Sequence, residues 1–226
     1  MNRLHRTHLL FGDDGIHKLR NSTVMVVGCG AVGSFAIEAL ARTGVGHIAV
    51  VDFDTVDVSN INRQLFALES TIGVKKVDIA AMRIRDINPD TRVTKYDMFF
   101  DKNSKFDIRP DFIIDAIDTV ESKIALYNYA HINNIPFISS MGAASKTDIA
   151  AIRIARISKT SVCPLASRIR KMVRDTDLPD FPVVYSTQTP APVIGHAKNL
   201  GSIITVTGTF GLMLANYVID EIIHSK

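Results

Sequence analysis

The sequence predicts an α/β fold built around a doubly wound, mostly parallel β-sheet. Three observations favour this fold: strand-like and helix-like segments alternate, several strand segments are apolar throughout, and a glycine-rich turn joins the first strand to a helix. At 226 residues the chain suits one domain with a sizeable core, so we expect a single domain over 1–226. We expect the last third to form a small α/β extension of that domain.

The hydrophobic pattern predicts the order of the elements. Strands are predicted at 24–27, 48–51, 92–96, 112–117, 136–140, 152–157 and 183–186. Helices are predicted from the glycine turn to residue 41 and at 75–87, 121–133, 165–174 and 208–224. Segment 202–223 is long and apolar, but its threonines and glycines favour a strand, a turn and a buried helix over a membrane span. Residues 187–200, rich in proline and small residues, are expected to form a mobile loop.

A glycine-rich loop follows the first strand. Its spacing, Gly28-x-Gly30-x-x-Gly33, allows a tight turn that brings N–H groups at the positive end of a helix against a phosphate. A structural turn would use the same glycines, but Asp52 ends the second strand, where a ribose-binding carboxylate belongs. We therefore expect a nucleotide-binding part at 20–145 and a substrate or dimer part at 146–226. The loop residues expected to face the phosphates are Gly28, Gly30, Ala31 and Gly33.

Polar side chains after the second strand indicate a nucleotide whose phosphates react. Asp54, Asn60 and Arg63 follow the ribose carboxylate closely, and a nicotinamide dehydrogenase has no use for an arginine there. Lys76 opens a helix, where a cation is unfavourable against the helix dipole. That conflict favours a phosphate contact, although Lys75 beside it leaves the choice open.

Asp118 is the last candidate residue of the nucleotide site. It follows the apolar strand at 112–117, so it should lie at the same edge of the sheet as the glycine loop. Two roles are open to it: capping the next helix, or holding a divalent cation as a hard oxygen ligand.

Composition indicates the kind of partner and the cellular compartment that suit this chain. A formal charge of +3 does not by itself indicate a nucleic-acid partner. Two cysteines, Cys29 and Cys163, supply neither a zinc site nor a disulfide framework, which is typical of a reducing compartment. The first residues lack the apolar stretch of a secretory signal. We expect a cytoplasmic protein without a membrane span.

These motifs resemble the ubiquitin-activating (ThiF/MoeB-type) adenylyltransferase superfamily, which has a Rossmann-like sheet. The matching parts, in order and spacing, are Gly28-x-Gly30-x-x-Gly33, Asp52-x-Asp54, Asn60-x-x-Arg63-Gln64, Lys76 and Asp118. The resemblance implies that Asp52 binds the ribose of ATP, that Arg63 and Lys76 hold its phosphates, and that Asp118 faces Mg²⁺. It also implies a homodimer in which an arginine near the N-terminus reaches the partner's ATP. Arg6 is the candidate for that role, and the alternative is an ordinary surface charge.

The second half is similar to the TcdA branch of that superfamily, the tRNA threonylcarbamoyladenosine dehydratases. The segments that carry this resemblance are 6–12, 142–148, 157–166, 183–187 and 201–203. It implies ATP-dependent cyclisation of N6-threonylcarbamoyladenosine in tRNA through an acyl-adenylate. Catalysis would then rest on Arg63, Lys76 and Asp118, with tRNA as the partner and a sulfur-transfer protein as a possible second one.

Other readings of the sequence stay open at this point. An adenylyltransferase for a ubiquitin-like sulfur carrier would share the nucleotide site, but such enzymes generally carry two Cys-x-x-Cys pairs, and this chain has none. A non-catalytic nucleotide-binding partner protein is disfavoured because Arg63 and Asp118 are both present. Either cysteine is a thioester nucleophile or, more simply, a small hydrophobe. Arg168, Lys171 and Arg174 share one helix face, which suits either RNA phosphates or plain solvent.

Overall fold

The structure is a computed structural model that describes residues 2–174, 176–192 and 200–225. Its centre is a seven-stranded sheet in the order β3-β2-β1-β4-β5-β7-β6. The strands are β1 Thr23–Val27, β2 His47–Asp52, β3 Arg92–Asp97, β4 Phe112–Asp115, β5 Phe137–Ser140, β6 Ile152–Arg156 and β7 Pro182–Ser186. The only antiparallel pairing among them joins β6 to β7. The predicted doubly wound, mostly parallel sheet is confirmed.

Helices cover both faces of the sheet. They are α1 His5–Asn21, α2 Gly33–Thr43, α3 Lys76–Ile87, α4 Val120–Ile132, α5 Pro164–Val173 and α6 Ile204–His224. Alternate residues of β1 face opposite layers: Val24 and Val26 pack with α1, α2, α3 and α6, whereas Met25 and Val27 pack with α4 and α5. Both faces of the central strand are therefore buried, as its apolar sequence predicts.

The predicted strand before the last helix is wrong. A single helix, α6, starts at Ile204, although Ile203-Ile204-Thr205-Val206-Thr207 is rich in β-branched residues. The hydroxyls of Thr207 and Thr209 donate to carbonyls one turn earlier, 3.4 Å and 2.7 Å away, so the helix accommodates them. Burial of one apolar face then outweighs the weak β-propensity of these residues.

Helix α6 is long and apolar enough to cross a membrane, with a mean hydropathy of 1.2, but 56% of that stretch is buried inside the molecule. It packs closely along α2. A side chain at Gly211 would lie 2.8 Å from Phe35 Cβ and would collide with the carbonyl of Val32, the residue that precedes α2. We therefore interpret α6 as a core helix that supports the beginning of α2.

Sequence reasoning missed α1. Its pattern is interrupted by Gly12, which has a left-handed φ of 65° and kinks the helix, so a regular apolar stripe is lacking. The second half of α1 still buries Ile16 and Leu19 against the sheet layer. The predicted mobile loop at 187–200 falls mostly on 193–199, which lie outside the described residues.

Candidate functional site

The candidate site lies at the carboxyl ends of β1, β2 and β4. Strand order reverses between β1 and β4, which pair in parallel from Val24 with Phe112 to Val27 with Asp115. In open α/β sheets the chain leaves these two strands in opposite directions, which opens a crevice where ligands bind. The glycine loop follows β1 there, Asp52 ends β2, and Asp118 lies three residues past the end of β4, which is shorter than predicted.

The glycine loop turns sharply into α2 at this crevice. Gly28 has a φ of +99°, and its N–H donates to the Val51 carbonyl at 2.8 Å. A Cβ at Gly28 would lie 2.6 Å from the Ala116 carbonyl oxygen, and a Cβ at Gly33 would overlap the Gly28 carbonyl. Gly30 has more room, because its nearest neighbour would be Gln64 Nε2 at 3.7 Å. The loop thus holds the N-terminus of α2 against the crevice, an arrangement suited to an anion.

Asp52 ties the glycine loop to the turn after β2. Its carboxylate accepts the N–H of Cys29 at 2.6 Å through one oxygen and the N–H of Asp54 at 2.9 Å through the other. Burial raises the pKa of the Cys29 thiol well above its usual range, and the nearby Asp52 carboxylate adds to the effect. Cys29 is therefore a protonated core side chain, which favours the hydrophobe over the nucleophile.

The structure distinguishes the two adjacent lysines. Lys75 is partly exposed: its Nζ donates to the Phe53 carbonyl at 2.9 Å and pairs with Asp97 at 3.0 Å. The Lys76 side chain is only 6% exposed, and its Nζ lies 2.8 Å from the Asp54 carboxylate, which is 47% exposed. Lys76 is thus the lysine that faces the crevice, with Asp54 as its counterion.

Asn60 bonds within its own turn, whereas Arg63 keeps most of its donors free of partners among the described residues. Asn60 is buried, and its side chain accepts the Asp57 N–H at 3.3 Å, which closes a short 3₁₀ turn at Val58–Asn60. Arg63 is held by Nη1 bonds to the Ser59 carbonyl at 2.7 Å and to Asn62 Oδ1 at 2.9 Å. Each guanidinium carries five donors, so most of the Arg63 donors stay available to a ligand. Asn60 therefore shapes the loop that carries Arg63.

Asp118 is exposed, and it does not cap α4. The cap position is Thr119, without a side-chain cap bond, and the Thr119 hydroxyl donates weakly to Asp118 at 3.3 Å. Within the described ranges no lysine or arginine pairs with this carboxylate, and no cluster of three or more acidic, histidine or cysteine side chains could hold a metal ion. A single free carboxylate suits Mg²⁺, which usually takes one or two carboxylates together with substrate phosphates.

Sequence reasoning missed a buried ionic network beneath Asp118. Asp115 ends β4 and is fully buried; one carboxylate oxygen accepts the Ile117 N–H at 3.0 Å, and the other lies 2.9 Å from Lys123 Nζ. Lys123 also donates to Ser139 Oγ at 3.2 Å and to the Ser140 carbonyl at 2.7 Å. An aspartate at the end of an otherwise apolar strand was the available signal. The network fixes the loop that carries Asp118.

Arg6 lies away from these residues in the single chain. It is exposed on the first half of α1, before the kink. The loops around the crevice thus carry the glycine motif, Asp52, Asp54, Arg63, Lys76 and Asp118, and Arg6 is not among these residues.

Comparison with known proteins then assigns the family. The ThiF family matches residues 3–225 of the sequence. The chain belongs to the ThiF family. The tRNA threonylcarbamoyladenosine dehydratase of Bacillus subtilis (strain 168) is 46% identical over 194 residues, which covers 84% of this chain and 76% of that protein. The Escherichia coli (strain K12) protein of the same name is 38% identical over 185 residues, covering 80% and 68%.

Solved structures agree with the sequence comparison. The E. coli dehydratase TcdA in complex with AMP superimposes with a TM-score of 0.91 at 33% identity, covering 97% of this chain and 93% of that one. The same enzyme in complex with ATP gives a TM-score of 0.90. The predicted ThiF/MoeB-type Rossmann-like fold is confirmed.

Proposed function

We propose that this ThiF-family chain uses ATP to cyclise N6-threonylcarbamoyladenosine in tRNA, by adenylating the threonyl carboxylate. One observation carries the proposal: at the switch point of the sheet the glycine loop contacts Ala116, on the loop that leads to Asp118, and lies near Gln64, the neighbour of Arg63. Asp52 and Asp54 link the same loop to Lys76. Relatives that share most of this chain's length are dehydratases of that nucleoside, and ATP and AMP complexes of one of them have the same fold.

The reaction requires the threonyl carboxylate to be activated and then to lie close to the carbamoyl group. A carboxylate resists substitution because an oxide ion would have to leave. Attack of the carboxylate on the α-phosphorus of ATP forms an acyl-adenylate and releases pyrophosphate. The carbamoyl group of the same nucleoside then attacks the activated carbonyl, the ring closes, and AMP leaves with the carboxylate oxygen. Because the second step is intramolecular, no enzyme nucleophile is needed. That agrees with two buried cysteines, Cys29 and Cys163.

Arg63 and Lys76 supply the positive charge for the first step. The Lys76 ammonium is nearly enclosed, so its interaction with a phosphate would be little weakened by water. The Arg63 guanidinium, on its short turn, offers a planar set of donors to phosphate oxygens. Both groups would stabilise charge that develops as pyrophosphate leaves.

Asp118 is the residue that would hold Mg²⁺. Its exposed carboxylate, free of any lysine or arginine in the described residues, provides the oxygen donors that this cation prefers. The bound cation would neutralise charge on the phosphates of ATP. The loop below Asp118 is held by the Lys123–Asp115 pair, so the position of the carboxylate is set before any ligand binds.

Arg6 completes the proposal through a second copy of the chain. It is exposed on α1, next to Leu9 and Leu10, which are 67% and 78% exposed. Two adjacent exposed leucines are more easily explained if a partner covers them. A homodimer in which Arg6 reaches the partner's nucleotide would use both features. We also propose a cytoplasmic location, supported by the two free cysteines.

The test is mass spectrometry of nucleosides from tRNA that carries threonylcarbamoyladenosine, incubated with the protein and Mg-ATP. We expect that nucleoside to lose one water in an ATP-dependent manner, with AMP and pyrophosphate as the other products. The matched control is Arg63→Ala, which should leave the nucleoside unchanged. If the folded wild type binds ATP but leaves the nucleoside intact, the acyl substrate is instead the C-terminus of a ubiquitin-like carrier protein.

A further inference from the structure

Charge is distributed very unevenly along this chain. Residues 120–174 carry nine lysines and arginines against two acids, a net charge of +7, whereas the other 171 residues carry 17 against 21, a net charge of −4. The modest total of +3 therefore hides a strongly basic segment. That segment includes α4 and α5, which together form one outer layer of the molecule.

Helix α5 and Arg174, which directly follows it, carry four basic side chains, three of which face solvent. Arg170 points inward, where its guanidinium donates to the carbonyl and the hydroxyl of Thr160. Ala166 and Ile169 form the buried face of α5. Arg168, Lys171 and Arg174 are exposed and recur every third residue along the opposite side. Helix α5 itself contains no acid, so this row of three cations is uninterrupted.

The basic row flanks the Asp118 loop. Arg168 Nη2 lies 3.1 Å from Glu121 Oε1, in the first turn of α4 and three residues beyond Asp118. Cys163 and Leu165, at the start of α5, lie beside Gly142 in the loop that leaves the carboxyl end of β5. The row therefore begins at the crevice and leads away from it across the outer surface.

Glu121 does not neutralise the row. Its side chain and that of Arg168 are 68% and 62% exposed, and pairs this exposed are weak, so a phosphate can replace the carboxylate. Glu121 is also the only acid on α4, which leaves the combined α4–α5 face positive. This arrangement complements a polyanion that enters the crevice from one side.

We propose that Arg168, Lys171 and Arg174 form the docking surface for the tRNA backbone. This inference rests on the proposed function, since the nucleoside to be adenylated must enter the crevice while the rest of the tRNA lies outside it. Phosphate contacts of this type position a nucleic acid without reading its sequence. The row would hold the strand next to the modified adenosine so that the threonyl carboxylate reaches the glycine loop.

The test compares two triple variants of the full chain for binding to an unmodified tRNA transcript over a series of salt concentrations. The first is Arg168→Gln, Lys171→Gln and Arg174→Gln. The control is Arg20→Gln, Arg42→Gln and Arg85→Gln, which removes the same charge from exposed positions of α1, α2 and α3. We expect only the first to weaken binding, by tenfold or more at low salt. The slope of log K against log salt should fall by about two to three, since each phosphate contact contributes about 0.7 to 0.9.

ATP binding by the same variants shows whether a loss of tRNA binding comes from the basic row or from a damaged crevice. Both triple variants should bind ATP as the wild type does, which would show that the crevice is intact. If the α5 variant binds tRNA like the wild type, or if the control weakens binding equally, the docking surface is overturned while the proposed function stands. If the α5 variant loses only its binding to phosphatidylserine vesicles, the row serves a lipid surface and the inference is again overturned. If the wild type does not bind the transcript, the docking surface is overturned, and the nucleoside assay decides the proposed function separately.

Discussion

Lys123 Nζ and Asp115 Oδ2 lie 2.9 Å apart in a part of the molecule that excludes water, with the two side chains 3% and 0% exposed. Because the same ammonium reaches the Ser140 carbonyl at 2.7 Å, the pair joins α4 to the ends of β4 and β5. Three elements, α4, β4 and β5, thus meet under the loop that presents Asp118. A buried ion pair of this kind gains little net stability when intact, but losing one partner is costly.

Replacing Lys123 by methionine should destabilise the protein strongly. The change leaves the Asp115 carboxylate buried without its cation, and removal of one partner of such a pair costs about 3–5 kcal/mol. Urea denaturation measures this loss. The matched control is Arg168→Gln, which breaks the exposed pair with Glu121 and should cost at most about 1 kcal/mol. Equal stability of Lys123→Met and wild type would show that the network does not support the fold.

A methyl group at Gly33 should disrupt the turn into α2, whereas the protein around Gly30 has room for one. Gly33→Ala would place its Cβ on the Gly28 carbonyl, and such overpacking typically costs about 1–3 kcal/mol or more. Gly30→Ala meets only Gln64 Nε2 at 3.7 Å, an ordinary contact. Thermal unfolding without ATP should therefore show a lower Tm for Gly33→Ala alone, and Gly33→Ala should also lose the ATP-dependent shift. A normal ATP shift in Gly33→Ala would contradict the proposed loop.

Arg63→Ala and Asp118→Asn should each abolish adenylation without unfolding the protein. Arg63 bonds only to its own loop, and Asp118 is exposed beside Thr119, so neither side chain supports the core. We expect at least a hundredfold loss in ATP–pyrophosphate exchange, which corresponds to about 2.7 kcal/mol of transition-state stabilisation. Circular dichroism and the unfolding midpoint should match the wild type. Near-normal exchange by either variant would show that the replaced residue takes no part in adenylation.

Activity should survive the loss of both cysteines. Burial raises the pKa of Cys29, and Cys163 is also buried, so neither thiol is exposed as a nucleophile. The variant Cys29→Ala with Cys163→Ala should retain dehydration activity within a few-fold, although some stability is lost with the two sulfur atoms. Iodoacetamide should label the folded wild type only slowly at pH 8. An inactive but folded double variant would indicate a thioester step.

Two inactive variants should restore activity when their chains are mixed and allowed to exchange subunits. Arg6→Ala removes the residue proposed to act on the partner, and Arg63→Ala removes one that acts within its own chain. A mixed dimer then contains one complete site, so about one quarter of wild-type activity is expected at random pairing of equal amounts. Absence of rescue, with mixed dimers verified by mass, would confine Arg6 to its own subunit or to a surface role.

Part of this architecture was predictable because its signals are local. The glycine spacing, the apolar strands and Asp52 predicted the βαβ unit and the position of its crevice without reference to the rest of the chain. The mostly parallel sheet followed from the alternation of elements, and the structure confirms it.

Other features depend on tertiary contacts that a sequence pattern does not show. Lys75 and Lys76 are identical in type and adjacent, and only their surroundings distinguish them: Lys75 pairs with Asp97 at the surface, whereas Lys76 is buried beside Asp54. Lys123 is a lysine on a helix, a position at which lysines usually face solvent, yet it is buried. The β-branched start of α6 predicted a strand, because β-branched residues favour strands. Such intrinsic propensities are weak, and the packing of α6 on α2 overrides them here.

The packing of α6 on α2 has a consequence for synthesis of the protein. Gly211 lies against Val32 and Phe35, so the turn into α2 is supported by a helix that is translated after all seven strands of the sheet. During synthesis the glycine loop and Asp52 leave the ribosome well before the surface that holds α2 in place. Until residues 204–224 have emerged, a growing chain should therefore bind ATP only weakly.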